Sequence, residues 1–149
     1  MATTTFTGPI TAGSVLDTTG TTPGTIDNTG GVTLAQTSSI TQSATSAATT
    51  IVIPAGSTIL EVFVGVTTIW SGAAATFTIG TTSANANELG CGTGAALGVS
   101  AVTPSTQAQT NLWFNVGTTD VILYVKSTNA GAGVGYLTVQ YLQGPNLIS

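Results

Sequence analysis

From Thr58 to Trp70 the chain reads TILEVFVGVTTIW, and its apolar side chains keep a period of two. Leu60, Val62, Val64 and Val66 fall on one face, with Glu61, Phe63, Gly65 and Thr67 on the other. Successive side chains of a strand point to opposite faces, so alternation over this length marks a half-buried strand. The period returns in TFTIG (76–80), which places Phe77 and Ile79 together, and in NLWFNV (111–116), which pairs Leu112, Phe114 and Val116. DVILYVK (120–126) groups Val121, Leu123 and Val125, and VGYLTVQYL (134–142) groups Leu137, Val139 and Tyr141. TTIVIP stands before the opening segment, and Pro54-Ala55-Gly56-Ser57 separates the two, which predicts two strands with a short connection. No window keeps apolar residues three and four apart, and β-branched Thr, Val and Ile dominate, so no helix is expected.

Residues 1–31 break this regularity. Gly and Pro recur every few positions, and Ile10 and the Val15-Leu16 pair are isolated between them. Such a stretch reads as an extended N-terminal arm. The polar tract TSSITQSATSAATT (37–50) reads as a strand edge plus a loop. No repeat of fixed period stands out, which argues against solenoids and propellers. The expected fold is all-β: an antiparallel β-sandwich or jelly roll over 32–149, preceded by the arm at 1–31.

Charge is nearly absent. Asp, Glu, Lys and Arg make up 4% of the 149 residues, against about 25% in soluble proteins generally. Lys126 is the one basic residue, and Asp17, Asp27, Glu61, Glu88 and Asp120 bring the net charge to −4. Nucleic-acid binding draws on Lys and Arg at the phosphates, and anionic membranes need the same basic clusters, so neither partner is expected. The hydrophobic share of 42% argues against disorder throughout. The most apolar window, 51–70, is interrupted by Pro54, Gly56 and Glu61 and falls short of a membrane helix. MATTTFTGPITAG has neither a basic n-region nor an apolar h-region, so a secretory signal is not expected and assembly in a cytoplasm is.

The chemistry such a chain can carry is narrow. It has no histidine, so it cannot build Ser-His-Asp or Cys-His arrangements or a Cys/His metal cluster. Cys91 is the only cysteine and forms no disulfide within the chain. In LGCGTGAALG (89–98) it has no neighbouring cation to activate it, and an inert thiol is expected. The glycines there fail the GxGxxG spacing at Leu97, and the stretch reads as a flexible surface loop. LDTTG (16–20) differs from the Asp-Thr-Gly of aspartic proteases by one extra threonine and has no second copy. Asp17, Asp27 and Asn28 lack the dense spacing of a calcium loop and read as turn formers. Lys126 in YVKSTN reads as a solvated or edge-protecting lysine. Trp70, Trp113, Phe63 and Tyr124 could form a sugar-stacking platform, with core or subunit interface the favoured alternative. No catalytic residue, metal site or cofactor is expected.

Surface charge normally keeps strand edges from pairing with other chains. A chain this neutral must close its edges, cover them with the arm, or pair them with other subunits, which favours structure and assembly over catalysis. The ordered series FTGPITAG (6–13), NTGGVTLAQT (28–37), IVIPAGSTILEVFVGVTT (51–68), TFTIGTT (76–82) and GAGVGYLTVQYL (131–142) resembles the head decoration, or cement, proteins of tailed bacteriophages. The resemblance implies a small jelly roll, commonly trimeric. It would sit on the outer surface of the capsid and bridge subunits of the major capsid protein, without catalytic residues. Only FTGPITAG maps onto a candidate contact region, so Phe6, Gly8, Pro9 and Ile10 are the candidate contacts with capsid or a sister subunit. A carbohydrate-binding module on a virion or cell surface is the alternative.

Overall fold

The computed structural model describes residues 32–72, 75–84 and 86–143. The arm at 1–31, with Phe6, Gly8, Pro9, Ile10, Asp17 and Asp27, lies outside the described residues.

Among the described residues, eight strands form two four-stranded sheets. They are β1 (Val32–Thr41), β2 (Ala47–Ile53), β3 (Thr58–Thr68), β4 (Thr76–Gly80), β5 (Gly90–Thr93), β6 (Gly98–Val102), β7 (Val121–Ser127) and β8 (Val134–Gln143). One sheet has the order β1-β8-β3-β6 and the other β2-β7-β4-β5. β1 pairs with β8, β2 with β7, β3 with β6 and β4 with β5, all antiparallel. This nesting is that of one long hairpin wound on itself, and the pairs β3–β8 and β4–β7 complete the two sheets. It is the jelly-roll arrangement.

Inward residues of both sheets meet in one core. Val62, Val64, Leu137 and Val139 from the first sheet are fully buried with Ile51, Phe77, Ile79 and Leu123 from the second. At about 25 cal/mol per Å² of apolar surface removed from water, these side chains carry most of the driving force for folding. Trp70 closes one end with its ring centroid 5.3 Å from that of Phe77. A Cβ on Gly94 or Gly133 would lie 2.6 or 2.3 Å from Trp70 atoms, so the indole requires bare backbone on both sides.

Three expectations are corrected. The phase of β3 is not continuous: the pairing with β8 slips between Ile59 and Glu61, so Ile59 turns inward and Leu60 is 48% exposed. A bulge inserts one residue and reverses the facing of what precedes it. NLWFNV does not form a strand; Gln107–Phe114 is a helix, α1. Thr106 caps it: its Oγ1 accepts from Gln109 N, while Gln109 Oε1 accepts from Thr106 N. This capping box satisfies two donors at the helix start. Finally, GCGT of the glycine-rich stretch is β5 rather than flexible loop, in register with Thr76–Ile79 of β4.

The connections are tied by side chains. Gln42, 5% exposed, donates from Nε2 to Ser71 O at 2.6 Å and accepts at Oε1 from Ser71 N at 2.9 Å and Gly133 N at 3.3 Å. One carboxamide thereby joins the β1–β2, β3–β4 and β7–β8 connections. Glu88 accepts from the backbone and hydroxyls of Thr81 and Thr82, and Asp120 Oδ1 accepts from Ala55 N at 2.9 Å.

Candidate functional site

With the core filled, what remains for contact is the outer face of each sheet. On the first sheet, strand register fixes the neighbours. Val99, Gly65, Tyr136 and Ser39 lie in one row across β6, β3, β8 and β1, and Ala101, Phe63, Thr138 and Thr37 in the next. Thr37 and Thr138 hydrogen-bond through their hydroxyls at 2.9 Å. Val99 is 74% and Tyr136 50% exposed, and a Cβ at Gly65 between them would meet only open space. Glu61, in the following row opposite Gln140, is the one charge on this face among the described residues. The surface is therefore mostly apolar and hydroxyl-bearing. It can bind by shape and by neutral hydrogen bonds, with Glu61 its one carboxylate.

The second sheet's outer face is different. Lys126, Thr78 and Cys91 lie in one row across β7, β4 and β5. Beside them a shallow depression of about 240 Å³ is lined by Lys126, Thr78, Asn87, Ser127 and Thr128. Cys91 is exposed. Lys126 is exposed too, but β7 lies between β2 and β4, so it guards no sheet edge. That corrects half of its expected role.

The aromatic residues do not gather into a platform. Trp70 is 2% exposed and belongs to the core. Trp113 is half-buried on α1, and its Nε1 donates to Leu89 O at 2.9 Å. Phe63 and Tyr124 lie on the outer faces of different sheets, as the alternation implied. Among the described residues no group of three or more His, Cys, Asp or Glu could hold a metal ion, and no helix is long and apolar enough to cross a membrane. Phe6, Gly8, Pro9 and Ile10 lie outside the described residues, so the expected contact segment has no place in this geometry.

Sequence reasoning missed Gln36 and Ser38. Gln36 Nε2 donates to Val52 O at 2.6 Å and to the Tyr141 hydroxyl at 2.8 Å, while its Oε1 accepts from Val52 N at 3.1 Å. Ser38 Oγ accepts from Thr50 N at 3.2 Å. Two side chains of β1 thus occupy backbone groups of β2 and join the sheets at that corner. Inward polar residues on a strand edge were the only available signal.

No known protein family matches the chain, and no curated protein matches it in sequence. Among solved structures it is similar to a chain of the acidic stable capsid structure of Helicobacter pylori bacteriophage KHP30. The TM-score is 0.57 at 14% identity, over 77% of this chain and 90% of that one. What the two share is a fold. The likeness supports the two-sheet sandwich read here from register and burial.

Proposed function

We propose that this chain is a structural protein of a phage virion, a decoration or cement protein that binds the outside of the head and stabilises it by bridging capsid subunits. The observation that carries this reading is the fold shared with a chain of a phage capsid. The chemistry agrees with it: the chain lacks histidine and has one basic residue, while the first sheet presents an almost uncharged outer face. In this reading that face, centred on Phe63, Tyr136 and Ala101, meets the major capsid protein. Phe6, Gly8, Pro9 and Ile10 of the arm add contacts to capsid or to a sister subunit, with a trimer as the functional unit. The protein works without catalysis.

The mechanism is clamping. A standard-size specific interface buries about 1,600 Å², and the gain from its apolar part is partly offset by the cost of association and ordering. Linking copies in a trimer converts later contacts into intramolecular ones and raises avidity without new chemistry. The test is reconstitution. Particles stripped of this protein should regain it from purified material and should withstand heat or denaturant better afterwards. Purified protein that neither attaches to such particles nor changes their endurance overturns the proposal.

A further inference from the structure

Each sheet has two edge strands, and the two sheets do not treat them alike. In the second sheet both edges are tied. Side chains of β1 hold the edge of β2, with Gln36 on the N–H and C=O of Val52 and Ser38 on the N–H of Thr50. β5 has four residues, and one of them, Cys91, bridges to Thr103. In the first sheet both edges stay open. Among the described residues, the backbone of 32–38 pairs with β8 alone and that of 98–101 with β3 alone. Neither β1 nor β6 carries a charge or a proline, and neither pairing slips in register. Val32 and Leu34 on β1 and Val99 on β6 are exposed. Neutral, regular edges with unpaired N–H and C=O groups are templates for another strand.

We infer that these two edges pair with each other between copies of this chain, β1 of one copy lying antiparallel against β6 of the next. Strand sense favours this partner. β1, β8, β3 and β6 alternate in direction, so β6 runs opposite to β1. A neighbour in the same orientation therefore presents its β1 antiparallel to β6 without being turned over. That both edges are open favours it too. A two-fold contact of β6 with β6, or of β1 with β1, covers one edge and needs a second, different contact for the other. A head-to-tail contact covers both with a single interface. The side chains also agree. Val99 and Ala101 face outward on β6, and Thr33, Ala35, Thr37 and Ser39 face outward on β1. Those four are small and uncharged, so β6 meets neither charge nor bulk in any register. β1 has ten residues and β6 five, which lets one β1 cover β6 along its whole length. The joined sheets keep their outer faces on one side, so the neutral face widens. This inference goes beyond capsid attachment and is tested on protein free of particles, so the failure of one leaves the other standing.

Complementation between two variants of the full chain tests it. Ala35→Lys with Ser39→Lys guards β1, and Val99→Lys with Ala101→Lys guards β6. All four positions are exposed, so both variants should keep the parent's circular dichroism spectrum. Mass is read by sedimentation. The parent is expected to be larger than a dimer and each variant alone a single chain. An equal mixture should give a dimer with one copy of each variant, because the native β6 of the first meets the native β1 of the second and the remaining edges are blocked. A parent that stays a single chain, a variant that associates on its own, or a mixture that yields nothing larger than one chain overturns the inference. Hydrogen exchange on the parent needs no variant. Between dilute and concentrated solution, the amides of 32–38 and 98–101 that β8 and β3 leave unpaired should slow together, on the order of ten-fold or more. Slowing at one edge only, or at neither, overturns it as well.

Discussion

The carboxamide of Gln36 pairs with the backbone of Val52 as a strand would, Nε2 donating to its carbonyl at 2.6 Å and Oε1 accepting from its N–H at 3.1 Å. β2 is an edge strand of its sheet, so a side chain supplies the partner that a neighbouring strand would have given. Gln36→Leu removes both bonds and the one to Tyr141 while keeping comparable bulk. It is expected to cost about 1–3 kcal/mol, read as a lower urea midpoint at an unchanged slope. An unchanged midpoint would mean that the corner holds without Gln36.

Gln42 joins more of the chain than any one backbone pair. Gln42→Leu leaves Ser71 N–H and Gly133 N–H without their acceptor at the end of the sandwich. The expected loss is about 2–4 kcal/mol. Hydrogen exchange at Ser71 and Gly133 should accelerate more than at the middle of β8, and uniform acceleration would show that Gln42 contributes only to global stability.

Trp70 depends on glycine rather than on a hydrogen bond. Its Nε1 has no partner among the described residues, so packing alone positions the ring. Gly133→Ala would place a methyl 2.3 Å from Trp70 Cδ1 and force the indole or the β7–β8 connection to move. Overpacking of this kind costs about 1–3 kcal/mol. The checks are a lower melting temperature and a red-shifted tryptophan emission, and an unchanged spectrum would contradict this account of the ring's seat.

The parts of the fold that were legible in the sequence are those where burial repeats every second residue. TFTIG, DVILYVK and VGYLTVQYL each became a strand with the expected inward residues, because a strand buried on one face writes its geometry directly into composition. Three stretches were not legible for three reasons. At Leu60 a bulge reversed the phase, and a bulge leaves no mark on apolar periodicity. In NLWFNV the spacing of Leu112, Phe114 and Val116 imitated a strand, although T-x-x-Q at Thr106–Gln109 was present as a helix start. In GCGT the glycines hid a strand that lies against Phe77, whose ring a Cβ on Gly92 would strike at 2.5 Å. The candidate face was half legible. Alternation put Phe63 and Gly65 outward, but only register brings Tyr136, Val99 and Ala101 beside them. The corner bonds of Gln36 pair residues 16 apart in the chain across two sheets, a relationship no local pattern encodes.

Charge sets the expected response to salt. With Lys126 the only cation, and that residue on the second sheet's outer face, attachment to particles through the first sheet should be almost independent of ionic strength. Lys126→Met should attach as the parent does. A steep loss of attachment between low and high salt would mean that Glu61, the one carboxylate on the first sheet's outer face, carries the contact as an ion pair.

The sharpest test compares the two outer faces. Tyr136 and Ile122 are exposed to similar degrees, 50% and 43%, on strands inside their sheets. A carboxylate at either position stays solvated in the isolated protein, so the fold should tolerate both changes to within about 0.5 kcal/mol. Once an interface covers the position, the same carboxylate must be stripped of water with no cation nearby. Tyr136→Glu is therefore expected to weaken attachment to stripped particles at least ten-fold, about 1.4 kcal/mol, whereas Ile122→Glu should leave it unchanged. The reverse outcome would move the contact to the second sheet. Equal, undiminished attachment by both variants would remove both faces from the interface and leave the arm to carry it.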